Sequence, residues 1–155
     1  MKDVTLIIPV CDGRVLLGTK KRGFGVGKVT GFGGKLNEGE SVVEAAVREL
    51  VEEVGLEVDI ENLKKVAELT FLFPHADWDD LNTHVFMVKS WKGKPIESEE
   101  MQFEWHDFER IPFEKMWDDG RHWLPEVLNG RKIKGKFSFG EDNSTISAKE
   151  IVDMI

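Results

Sequence analysis

The sequence predicts an α+β fold, a mixed β-sheet sandwiched between helices, on three observations. The chain has 155 residues, 41% hydrophobic and 32% charged, enough for one domain, 1–155, with a real core. Strand-like runs outnumber helical ones. The two helical stretches lie far apart in the chain, as they do when helices pack on a sheet they do not alternate with.

Taken in order, "VTLIIPV" and "RVLLGTK" flank the turn signal "CDG", so residues 4–20 read as a hairpin. "RGFGVGKVTGFGGKLNEGE" holds seven of the fifteen glycines and reads as a loop broken by short extended pieces. Residues 42–54 read as a helix. Ser41 followed by Glu44 is a capping box, and Gly55 suits the position after the last turn. Val43, Val47, Leu50, Val51 and Val54 recur at helical intervals as its apolar stripe. "KKVAELTFLF" and "THVFMVKSW" read as strands, joined by "PHADWDDLN", which reads as a solvated acidic loop. "FEWHDF" reads as a strand, residues 121–129 as a short helix, and "KGKFSFGEDNSTIS" as a late hairpin.

The first helix carries an electrostatic problem. Glu49, Glu52 and Glu53 fall on one side of it, opposite the apolar stripe. Like charges at that spacing destabilise a helix by a few tenths of a kcal/mol per pair. Three carboxylates with loop carbonyls nearby resolve the problem by forming an oxygen-rich site for a hard divalent cation. Magnesium fits best because it takes substrate phosphates as remaining ligands, and manganese is its alternative. Arg48 lies near the same face and could hold a glutamate through a bidentate pair.

Residues 34–56, "GKLNEGESVVEAAVRELVEEVGL", resemble the Nudix box, G-x5-E-x7-R-E-U-x-E-E-x-G-U with U apolar, and match it at every specified position. The resemblance implies a Nudix αβα sandwich with the box as loop-helix-loop. It implies a magnesium-dependent hydrolase in which water attacks a nucleotide phosphate chain. Glu52 and Glu53 would hold metal, Glu49 would hold metal or serve as base with Glu53 as rival, and Gly33 or Gly34 would lend a carbonyl.

Flanking segments, among them "RVLLGTKKRGFGVGKVTGFGGK", "THVFMV", "ESEEM" and "IPFEKMW", look like the oxidised purine nucleotide pyrophosphatases of the MutT-homologue type. That likeness implies nucleotide contacts from Thr5, Lys20 and Phe24, and from the loop Phe32, Gly33, Gly34 and Lys35. It implies a metal contact from Glu100, base stacking on Trp117 and purine reading by Asp119. Two positions depart from the group, which has Asn at Thr30 and Asp at Gly120. Asp118 could replace the missing carboxylate only by a local shift. The expected substrates are oxidised purine dNTPs such as 8-oxo-dGTP. The alternatives are a Nudix hydrolase of ADP-ribose or a dinucleotide, and an inactive nucleotide-sensing module.

Composition narrows the field further. A net charge of −8 gives no general attraction to nucleic acid. The single cysteine, Cys11, permits no internal disulfide and fits a reducing compartment. The first residues read as a strand rather than a signal peptide or membrane span. A cytoplasmic monomer is the expectation.

Overall fold

The computed structural model describes residues 1–154. Its sheet has eight strands: β1 (Lys2–Cys11), β2 (Arg14–Lys20), β3 (Val29–Thr30), β4 (Lys64–Leu72), β5 (Leu81–Val88), β6 (Met101–Asp107), β7 (Ile133–Phe139) and β8 (Ile146–Asp153). The order is β3-β2-β1-β5-β4-β7-β8, with β6 also on β2. β1 runs parallel to β5 and β4 to β7, and the other pairs are antiparallel, so the sheet is mixed as expected. Among the described residues, no helix is long and apolar enough to cross a membrane.

Alternation along β1 sends its side chains into two cores. Ile7, with Leu16, Phe32, Phe86 and Val88, packs under α1 (Val42–Val54). Ile8, with Leu17, Leu69, Val85 and Phe137, packs with Trp123, Leu124 and Val127 of α2 (Gly120–Leu128). One helix on each face makes the sandwich.

Two local expectations change. Residues 4–20 do not form a full hairpin, because β1 and β2 pair only at Val10–Val15 and Cys11–Arg14. Beyond that point the two strands splay: β2 pairs with β3 at Gly18–Thr30 and Thr19–Val29, with β6 along its other edge, and β1 accepts the glycine loop instead. Phe32 and Ile7 exchange backbone hydrogen bonds, and the Thr5 N–H donates to the Gly34 carbonyl at 2.9 Å. The split in the sheet is what seats residues 32–35 beside the strand. The apolar stripe of α1 also differs. Val51 is 44% exposed, while Ala45, Ala46, Leu50, Glu53 and Val54 are buried. Small alanines let the helix approach the sheet closely, so the buried arc widens to include glutamates that were expected on the outer face.

Candidate active site

Helix α1 has the predicted capping box, and Gly55 ends it at φ 74°. Ser41 Oγ accepts the Glu44 N–H at 3.2 Å, and Glu44 Oε1 accepts the Ser41 N–H at 2.9 Å. The caps fix the rotation of the helix and hence the direction of its glutamates.

Glu53 is only 2% exposed, and one of its oxygens accepts the Gly33 N–H at 2.7 Å. Burial pushes its carboxyl up to about 8, against the pull of that N–H, and nearby Glu49 and Glu100 push the same way. Oxygens of Glu49, Glu53 and Glu100 all lie within 4.8 Å of one another. Three hard oxygen donors, crowded and partly desolvated, suit a divalent cation, whose charge would relieve the strain that raises the Glu53 pKa. Glu52 stands apart from this cluster, with its side chain 51% exposed and its carboxylate facing Arg48.

The backbone here leaves no room for side chains. A Cβ on Gly33 would fall 1.8 Å from the Thr5 carbonyl oxygen, and one on Gly34 would fall 2.6 Å from Glu49 Oε1. Glycine is therefore obligatory at position 33, against backbone, while a side chain at Gly34 would push the Glu49 carboxylate from its place.

Arg48 makes the expected bidentate pair with a glutamate, Glu40, and reaches further. Its two-nitrogen fork grips Glu40, at 2.7 and 2.9 Å, and holds that carboxyl down at about 2 with help from the Asn37 N–H. Its Nη1 is shared between Glu49 at 3.0 Å and Glu52 at 3.1 Å, and Nη2 also reaches the Lys35 carbonyl at 3.1 Å. One guanidinium thus ties the glycine loop to the helix.

Glu100 arrives from the segment before β6. Ser98 Oγ donates to the Glu53 carbonyl at 2.7 Å and accepts from the N–H groups of Glu100 and Met101 at 3.3 and 3.1 Å. Lys21 pairs with Glu97 at 2.6 Å. These contacts hold Glu100 against the helix, and Ser98 carried no sequence signal for that role.

The carboxylates open into a cavity of about 650 Å³, in the range of small-molecule sites. Thr5, Lys20, Phe24, Thr30, Gly33, Gly34, Lys35, Glu53, Trp117 and Asp119 all line it, as does Gly120. Two candidates do not. Phe32 is fully buried and belongs to the core under α1. Asp118 turns away to accept the Ile146 N–H at 2.9 Å and to pair with Arg121 at 3.3 Å. Asp119 is 7% exposed and accepts the Trp123 Nε1–H at 2.7 Å, and burial pushes its carboxyl up to about 6.

Aromatic residues surround the far end of the cavity. Phe24 stacks on Trp117 at 5.4 Å and meets Trp78 edge-on at 5.3 Å. Trp78 meets Phe73, Phe73 stacks on Phe139, and Phe139 returns edge-on to Trp117, closing the circuit. Trp78 sits on the exposed acidic loop, as expected, and also lines the cavity. A tryptophan amid aspartates was the one clue the sequence offered.

A NUDIX domain model matches residues 1–127. The chain is 45% identical over 138 residues to an oxidized purine nucleoside triphosphate hydrolase of Danio rerio, covering 89% of this chain and 86% of that one. The Mus musculus protein of the same name is 42% identical over 143 residues, with 92% and 90% covered. Among solved structures, a MutT protein from Bacillus halodurans superposes with a TM-score of 0.81 at 25% identity, with 97% of each chain covered.

Proposed function

This chain belongs to the Nudix family, and from that premise we propose that it hydrolyses oxidised purine nucleoside triphosphates to nucleoside monophosphate and pyrophosphate. The observation that carries the reading is one cavity with two unlike ends. Glu53 of the carboxylate cluster and the Trp117–Asp119 pair line the same space. A nucleoside triphosphate has the matching polarity, a charged chain at one end and a flat base at the other.

Glu49, Glu53 and Glu100 would hold magnesium, or manganese in its place, which when bound would screen phosphate charge and acidify water. Every other part falls to the chain itself. Lys20 faces the cavity as a cation for the phosphates. Glu49 and Glu53, whose oxygens share the cluster, are the two groups placed to hold metal or to take a proton from water. Arg48 keeps Glu49 and Glu52 oriented from the side. Trp117 offers a face for the base, and Asp119 a carboxyl that donates when protonated and accepts when ionised.

Thr30 and Gly120 weaken the reading of the base. A threonine hydroxyl is shorter than an amide, and glycine supplies only backbone. Sites with few directed hydrogen bonds discriminate by roughly 10–200-fold. The test is a panel of 8-oxo-dGTP, dGTP and ADP-ribose, with products identified with and without magnesium. We expect monophosphate and pyrophosphate, metal dependence, and a preference for the oxidised purine well below about a thousandfold. Thr30→Asn with Gly120→Asp should sharpen that preference. Fastest turnover of ADP-ribose, or no magnesium-dependent product at all, would sink the reading.

A further inference from the structure

The loop between β4 and β5 does more than join two strands. Asp80 Oδ1 accepts the Phe73 N–H at 2.8 Å, its carbonyl accepts the Lys2 N–H at 2.9 Å, and Asp79 pairs with Lys2 at 3.4 Å. The loop is thereby pinned at its end, and Trp78 projects from it into the cavity between Asp77 and Asp79. A tryptophan flanked by two carboxylates repels a phosphate chain and suits an uncharged aromatic surface.

The aromatic circuit shows where that surface belongs. Phe73 and Phe139 are 7% and 2% exposed, whereas Phe24 and Trp78 are 52% and 42% exposed. The Phe24–Trp78 contact therefore joins the two exposed loop aromatics of the circuit, and it parts at the least cost. It also has reason to part. A planar base between two rings needs a spacing of about 7 Å, twice an aromatic contact distance, and Phe24 and Trp117 are 5.4 Å apart. Lys28 Nζ also lies over the Trp117 ring, at 4.9 Å; a base seated on the face that Phe24 covers must displace Phe24, and that displacement breaks or rebuilds the contact with Trp78.

We infer that Trp78, together with Phe24, forms the movable outer wall of the purine site, closing over a base that rests on Trp117. The inference rests on the proposed function and adds a residue to it. Trp78 is thus a binding determinant for the nucleoside, with no part in phosphate chemistry.

Calorimetric titration of the full chain in magnesium, with 8-oxo-dGMP and with pyrophosphate, tests this. Trp78→Ala should weaken 8-oxo-dGMP binding by about tenfold or more, the scale of one lost stacking face. Pyrophosphate affinity should stay within about twofold, and Trp78→Phe should restore the monophosphate affinity to within about threefold, since any aromatic supplies a face. Equal weakening of both ligands, or 8-oxo-dGMP affinity unchanged in Trp78→Ala, would overturn the inference alone. A parent protein that binds pyrophosphate but no purine nucleotide would overturn the proposed function, and the inference with it.

Discussion

Glu53 and Asp119 sit at opposite ends of one cavity and look alike in isolation. Each is a buried carboxyl, at 2% and 7% exposure, with one N–H donor at 2.7 Å, and burial raises both pKa values. Their neighbours differ. Glu53 has Glu49 and Glu100 beside it and is pushed up to about 8, while Asp119 has aromatic and aliphatic neighbours and only the more distant Asp118, and reaches about 6. Crowded carboxylates call for a multivalent cation, and a solitary one among rings settles for a proton. On the proposed function, the same side-chain chemistry would serve as a metal ligand at one end and a purine reader at the other.

The comparison can be broken most sharply at Glu53. Glu53→Gln should cut turnover at least about a hundredfold, the scale of a lost general base or ligand. The metal-free protein should melt no lower than the parent, because a neutral amide avoids burying charge. Turnover within tenfold of the parent would remove Glu53 from the mechanism.

Trp117→Ala probes the other end. Lost stacking is worth about 1–3 kcal/mol, so KM for nucleotide should rise while kcat changes little. Should the Tm collapse while nucleotide affinity in the folded fraction holds, Trp117 is a packing residue.

The smallest effect is expected from Asp119→Asn, read as stability against pH. The folded carboxyl, at about 6, holds its proton more tightly than its ordinary 3.8. Its contribution is therefore present below pH 3.8 and drains away as pH rises towards about 6. The asparagine variant lacks this loss, so its Tm relative to the parent should climb by a few degrees between about pH 4 and 6.5, then level. A difference that is flat across that window would mean that Asp119 titrates normally.

The two ends were also unequally legible. The box could be read because capping, glycine and carboxylates recur within one continuous helix and loop, where spacing is geometry. Even there, helical periodicity cannot say which of three adjacent directions the core will cover, so it does not separate buried Glu53 from exposed Glu52. The aromatic end draws Phe24, Phe73, Trp78, Trp117 and Phe139 from four separate segments. Only the tertiary fold brings them together, so the loop that carries Trp78 is legible while its place at the cavity is not, and Phe32 reads as a pocket residue though it is buried in the core. The β1–β2 hairpin is shorter than its sequence suggests because β3 and the glycine loop take the facing edges of the two strands beyond Val10 and Val15.

The grip of Arg48 on Glu40, Glu49, Glu52 and the Lys35 carbonyl has a consequence for how the protein is made. An acidic helix that carries its own counter-charge can take shape before any metal arrives. On the proposed function, folding and metal loading would then be separate events in the life of the chain. A newly synthesised molecule can wait, finished, in a cell short of free divalent ions. A chelator should silence such a protein without unravelling it, unlike small domains whose metal is their framework.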